Sequence, residues 1–187
     1  RIAAQASVHL NEEIVPFWFP QAIDSENGGF FTCYDNRGNF VSDLKYTWSQ
    51  GRFIAVCAQL AEAVAAGLVQ LDPAALVGYA RRGAVFLRDH ALRPDDTTHY
   101  VLSRSGELLE SPGDSLYADC FAIMGFAAMA RVSGDEAWLV LAERMAEVAW
   151  RTAGRRLVPT APYQMPPGTD VLGVRMIDGT GQPLRFG

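Results

Sequence analysis

An internal repeat constrains this chain more than any other feature. Residues 28–31 and 99–102 lie 71 positions apart, and so do Tyr46 and Tyr117. A fixed period of a few tens of residues marks an array of similar helical units that bury their apolar faces on one another. Each unit reads as helix, hairpin, helix. A third unit opens at Asp135 and by the same period needs about 70 residues. Only 53 remain to Gly187, so the chain is expected to hold about two and a half units.

Local signals place the elements. Residues 2–18 predict a helix closed near Pro16 and Pro20. Residues 29–34 and 39–41 predict two strands around the turn Asp35-Asn36-Arg37-Gly38. A second helix spans 46–66 and ends at Gly67. Asp72 as N-cap and Pro73 in the first turn open a third, running to about Leu92. A second hairpin is expected over 98–103 and 107–109 around Arg104-Ser105-Gly106. Asp114 or Ser115 caps a fourth helix reaching Val132, and Ser133 and Asp135 start a fifth reaching about Arg151. The stretch 159–187, rich in proline and glycine, predicts irregular, partly disordered structure.

The helices are of two kinds. The fifth places Trp138, Leu141, Ala142, Met145, Val148 and Ala149 on one face, the pattern of an amphipathic outer helix. Between residues 116 and 130 the single charge is Asp119; between 46 and 66 the only charges are Arg52 and Glu62. Helices apolar nearly all round are buried on most sides. Alternating inner and outer helices describe a toroid of helical hairpins, an all-α fold, with inner helices lining the bore.

A formal net charge of −5 and a single lysine, Lys45, argue against a nucleic-acid or anionic-membrane partner. Cys33, Cys57 and Cys120 are odd in number and widely spaced. They predict neither disulfides nor a zinc site, and a cytoplasmic location. Cys57 and Cys120 fall in apolar helical runs and are expected in the core. No apolar run reaches the roughly 18 residues of a membrane span, and no signal-peptide pattern opens the chain. Because the first residue is Arg1, a trimmed or incomplete N-terminus is expected.

The segment from Gly28 to Gln59 carries the chemistry. It reads as a hairpin delivering Tyr46, Trp48 and Arg52 to the first turns of an apolar helix. An arginine there must reach water or meet an anion, because a buried unpaired charge is too costly. Beside two aromatics it suggests a pocket for a polar ligand with carbon faces, such as a sugar. The plainer alternatives are an Arg52 paired with Asp43 or Asp119, and aromatics that only pack. Tyr117 and Asp119 occupy comparable positions on the next inner helix, and Asp119 could equally satisfy helix or loop donors. Lys45 is read as structural or solvent-facing; His9, His90 and His99 are read as surface or hairpin residues. Ser49 and Ser115 lack a nucleophile-elbow setting. There is no phosphate-binding or dinucleotide fingerprint and no metal-ligand spacing, so no cofactor is expected.

The run Lys45-Tyr46-x-Trp48-x-Gln50-Gly51-Arg52 resembles the N-acylglucosamine 2-epimerase family, which includes the renin-binding proteins and the cellobiose 2-epimerases. Supporting matches are Gly28-Gly29-Phe30-Phe31, the Asp35…Gly38 turn, residues 115–121, Pro162-Tyr163 and Gly173…Met176. The resemblance covers most of residues 10–177. It implies an (α/α)6 barrel of six helical hairpins, of which residues 1–187 are the N-terminal part with about five helices. It implies an isomerase that removes and returns a proton at C2 of an open-chain aldose through a cis-enediolate, for example interconverting N-acetylglucosamine and N-acetylmannosamine. It implies Arg52 near the reacting oxygens, and Tyr46, Trp48, Tyr117 and Asp119 as sugar-binding residues. The partner is then a small sugar, with a homodimer as one assembly.

The family's paired catalytic histidines belong to the later half of its barrel, and none of His9, His90 or His99 sits in a matching motif. The fragment is therefore expected to be inactive alone. After Met176 the run IDGTGQPLRFG departs from the family's apolar helix, as truncation, a divergent end or an altered reading frame would each produce. The alternative reading is a non-catalytic, truncated pseudo-enzyme that binds a sugar or a protein partner. A glycoside hydrolase on a similar barrel needs two acids across the sugar; Asp119 is one candidate, and no convincing second is present.

Overall fold

The computed structural model describes residues 2–109 and 115–153. Asp114 as a cap, the stretch 159–187, Pro162-Tyr163 and Gly173…Met176 lie outside the described residues. The expected opening helix is present as α1 (Ile2–His9), a π turn (Leu10–Ile14) and α2 (Val15–Trp18). Val15 N–H reaches back five residues to Leu10 O, and Pro16, which has no N–H, follows at the changeover. Strands β1 (Cys33–Tyr34) and β2 (Phe40–Ser42) pair antiparallel around the expected turn. The Asp35 carboxylate accepts the Arg37 and Asn39 N–H groups at 2.8 and 2.9 Å, and Gly38 takes the left-handed φ of 82° that closes the turn.

β3 (Lys45–Tyr46) leads directly into α3 (Thr47–Ala65). Asp72 caps α4 (Pro73–Phe86), accepting Ala74 N–H at 2.9 Å, and a π turn (Leu87–Ala91) completes that helix. Ser115 Oγ caps α5 (Leu116–Ser133) through Ala118 N–H, and Asp135 caps α6 (Glu136–Thr152) through Ala137 N–H. These caps follow from the sequence because a short polar side chain satisfies orphan helix donors within one turn.

The second hairpin corrects the sequence expectation. β4 (Val101–Leu102) pairs with β3 of the preceding unit, Lys45 opposite Leu102 and Tyr46 opposite Val101. Its pairing with the 107–109 arm reduces to a single bridge, Leu102 to Leu108. Thr47 N–H extends the link between units by donating to Tyr100 O at 3.0 Å.

The principal core fills the space between α3 and α5 on one side and α4 and α6 on the other. It includes Ile54 and Cys57, Ala80 and Ala84, Phe126 and Met129, and Trp138 and Met145. α3 and α5 pack along each other with backbones in contact. A Cβ on Gly51 would stand 2.2 Å from Phe121 O, and one on Gly125 would stand 2.8 Å from Gly51 O. Only glycine permits so close an approach. A smaller cluster of Val15, Leu60, Ala61, Val69 and Leu76 anchors the opening helix against α3 and α4.

α3 and α5 are less enclosed than their composition predicts. Each keeps a solvent-facing stripe at helical spacing: Arg52, Val56 and Gln59 on α3, and Tyr117, Cys120 and Met124 on α5. Cys120, expected in the core, is therefore exposed, whereas Cys57 is fully buried and its thiol is pushed up to about 12 by burial. α5 also departs from the expectation that no segment could span a bilayer. At 18 residues and mean hydropathy 1.3 it is long and apolar enough to do so. Here its apolar surface packs against α3, α4 and α6.

Candidate functional site

The Lys45–Arg52 run divides into side chains that build the scaffold and side chains that face a cleft. Lys45 is fully buried and pairs with Asp24 at 2.8 Å, which settles its role as structural. Tyr46 is buried edge-on to Tyr100, with ring centroids 5.7 Å apart. Thr47 Oγ1 donates to His99 O at 2.5 Å. Gln50 is fully buried and clamps Phe30 as a strand would: its Oε1 accepts Phe30 N–H at 2.7 Å and its Nε2 donates to Phe30 O at 2.8 Å. Gly51 makes the close contact with α5.

The remaining residues, Trp48, Ser49 and Arg52, line a cleft of about 370 Å³ between the opening helix and α3. This is the size range of small-molecule sites. Leu10, Ile14, Val15, Trp18 and Phe19 form the facing wall, with Thr32 at one end. Arg52 is the single ionisable side chain among the described residues that line it. Its guanidinium carbon lies 5.3 Å from the Trp48 ring centroid and 5.5 Å from that of Phe121, within cation–π range. Among the described residues no carboxylate pairs with it, so the alternative partners Asp43 and Asp119 are not engaged.

The two hydroxyls form an ordered relay. Ser49 Oγ donates its hydrogen to Tyr46 O at 2.9 Å. Thr32 Oγ1, 2.9 Å from Ser49 Oγ, must then donate to it, which leaves the Thr32 oxygen as an acceptor. The cleft thus offers a fixed cation, a hydroxyl acceptor and aromatic faces. That combination suits a polyhydroxylated or anionic ligand with carbon faces. Among the described residues that line it, none is a histidine or a carboxylate that could move a proton.

The other sequence candidates stand elsewhere. Asp119, 1% exposed, accepts the Thr98 N–H and hydroxyl at 2.8 and 2.7 Å. It fastens the extended segment ahead of β4 to α5, much as Gln50 fastens Phe30 to α3. Tyr117 is half exposed on the α5 stripe. The structure therefore unites Trp48 with Arg52 and leaves Tyr46, Tyr117 and Asp119 outside this cleft. None of the histidines lines it: His9 pairs with Glu13, His90 lies against Phe86, and His99 accepts a hydrogen bond from Arg93 Nε at 3.2 Å. Sequence reasoning missed Thr32 and the facing wall, which reach the cleft from other elements without a motif, and Phe121, which meets the Arg52 guanidinium from α5.

Among curated proteins the chain aligns with bovine N-acylglucosamine 2-epimerase at 27% identity over 180 residues, covering 91% of this chain. The human enzyme of that name aligns equally well. The chain resembles the N-acylglucosamine 2-epimerases. It spans about two fifths of the length of these relatives, 42% of the bovine protein and 41% of the human one. No family model matches the chain. Among solved structures, a sugar epimerase from a ruminal bacterium superimposes with a TM-score of 0.66 at 21% identity, over 79% of this chain and 36% of that one. The cellobiose 2-epimerase of Bacillus thermoamylovorans gives a TM-score of 0.66 at 17% identity, over the same shares of the two chains. A D-mannose isomerase gives 0.58 at 22% identity, over 81% of this chain and 34% of that one. The mostly helical arrangement of paired helices is thus a fold shared with sugar epimerases and isomerases.

Proposed function

We propose that this chain is the N-terminal part of a sugar 2-epimerase built as an (α/α)6 barrel, with α3 and α5 as inner helices and their exposed stripes facing the bore. The observation that carries this reading is Arg52. It is a guanidinium with no carboxylate partner among the described residues, stacked on Trp48 and Phe121 in a cleft, within a run that resembles epimerases. In the proposed reaction a base removes the C2 proton of an open-chain aldose, and negative charge gathers on the C1 and C2 oxygens of a cis-enediolate. A guanidinium donates two hydrogen bonds to such a pair of oxygens and stays charged throughout. Trp48 offers a carbon face to the sugar, and Thr32 an acceptor for a hydroxyl.

The acid and base come from elsewhere in the complete protein, since no histidine of this chain lines the cleft. Residues 1–187 alone are therefore expected to bind a sugar weakly and to turn none over. The complete protein, incubated with N-acetylmannosamine, mannose and cellobiose in deuterated water, is expected to place deuterium at C2 of at least one of them and to release its epimer. No C2 exchange with any of the three would remove the proposal.

A further inference from the structure

Among the described residues only three charged side chains are buried, Asp24, Lys45 and Asp119, and two of them form one cluster that the proposed reaction does not use. Lys45 Nζ lies 2.8 Å from Asp24 Oδ2, donates to Gly28 O at 2.6 Å and to Arg104 O at 2.7 Å, and sits 4.3 Å from the Phe86 ring centroid. Arg104 Nε reaches the same Asp24 oxygen at 3.2 Å, and its Nη2 binds Glu26. Asp24 and Lys45 belong to the first repeat and Arg104 to the second.

A buried ion pair is a poor source of stability, since apolar residues of similar volume often serve as well; its best-attested use is to specify register. The strands of this junction supply little register of their own beyond the Thr47 bonds to His99 O and Tyr100 O. β3 and β4 are two residues long, and their neighbours Leu44, Tyr46, Tyr100, Val101 and Leu102 are apolar or aromatic on either side of the pairing. A slip of one residue exchanges the faces of a strand, and here a slip of β4 along β3 would draw the Arg104 carbonyl away from Lys45 and the Arg104 guanidinium away from Asp24.

We propose that the Asp24–Lys45–Arg104 cluster locks the register between consecutive repeats, and that Asp24 and Lys45 are positioning residues for the cleft. Holding Lys45 opposite Leu102 fixes where α3 begins, and with it the places of Trp48 and Arg52 in its first and second turns. The lock is a statement about this chain; its bearing on catalysis rests on the epimerase reading.

The test compares the parent chain with the double variant Lys45→Met/Asp24→Leu. Both are labelled with 5-fluorotryptophan, and the Trp48 fluorine signal is assigned by Trp48→Phe. The double variant is expected to keep its helical circular dichroism and a cooperative melt. Its Thr47 amide, bonded to Tyr100 O across the junction, should exchange at least about ten-fold faster, and its Trp48 signal should move or split. A folded double variant with both readouts unchanged overturns the proposal. If the double variant does not fold, Arg104→Gln decides the matter. This change loosens the cluster from its solvent side, so the same two changes in smaller measure support the lock, and their absence overturns it. A register shift in a protein that exchanges no C2 proton leaves the lock standing and removes the epimerase reading. An active epimerase with unchanged register does the reverse.

Discussion

Arg52 and Lys45 are separated by seven positions and have opposite situations. Arg52 is exposed, and its contacts with Trp48 and Phe121 are worth about 0.5–1 kcal/mol in such a setting. Arg52→Met is therefore expected to leave the melting midpoint close to that of the parent. On the proposed epimerase reading, the same change in the complete protein should lower kcat by about 10²–10³-fold, the usual effect of removing a group aimed at developing charge. Equal losses of stability and activity would return Arg52 to a structural role. Lys45→Met leaves the buried Asp24 with Arg104 and backbone N–H groups as partners; removing one partner of a buried pair costs about 3–5 kcal/mol, an upper value here, measurable by urea unfolding at fixed protein concentration.

The pair also sets a pH dependence. Burial alone would raise the Asp24 carboxyl, but hydrogen bonds from Lys45, the Asn27 N–H and Arg104 outweigh it and hold the group well below the usual carboxylate range. The unfolded chain then takes up this proton first as pH falls, near the ordinary aspartate value of about 3.9. The stability contributed by Asp24 is present above that pH and lost progressively below it. Unfolding free energies measured from pH 6 down to pH 3 should fall more steeply for the parent than for Asp24→Asn.

At the scale of elements, the contact between α3 and α5 depends on glycine. Gly51→Ala drives a methyl into the Phe121 carbonyl, and overpacking of this kind costs about 1–3 kcal/mol, occasionally more. Gly78→Ala, in α4 with nothing within 4 Å of the added carbon, should instead stabilise by about 0.5–1 kcal/mol through helix propensity. Melts of the two variants should move in opposite directions. The helices and their caps were legible in the sequence because Asp72, Ser115 and Asp135 act on donors within their own first turn. Trp48 and Arg52 were legible as neighbours because a charge and an aromatic stand one turn apart on an otherwise apolar helix. The β3–β4 pairing was not, since two-residue strands show no alternation and their partners lie more than fifty positions apart. Nor was the burial of Lys45, because lysine is usually a surface residue and its partner sits in a loop 21 positions earlier. Gln50 hid for a similar reason: its amide replaces a strand, and nothing in composition announces that.

At the scale of the whole chain, the stripes on α3 and α5 leave Val56, Tyr117 and Met124 in solvent, and α6 adds Trp150 at 86% exposure. Contiguous apolar surface promotes association. Residues 1–187 are expected to sediment as oligomers or to be poorly soluble, and Met124→Lys with Trp150→Lys should shift the distribution toward monomer. A monodisperse parent would contradict this.

The strand pairing between repeats also separates two kinds of boundary. The period read along the chain begins anew at the helix ahead of each hairpin, yet β3 finds its hydrogen-bond partner only in the unit that follows. The piece able to fold by itself is therefore offset from the piece that recurs. A duplication or excision cut at the obvious joint between periods leaves one strand without its mate at either end, whereas cuts placed just after β2 and just after the 107–109 arm carry the β3–β4 pair away intact. Insertions, circular permutations and chimaeras of this chain should follow the second kind of boundary.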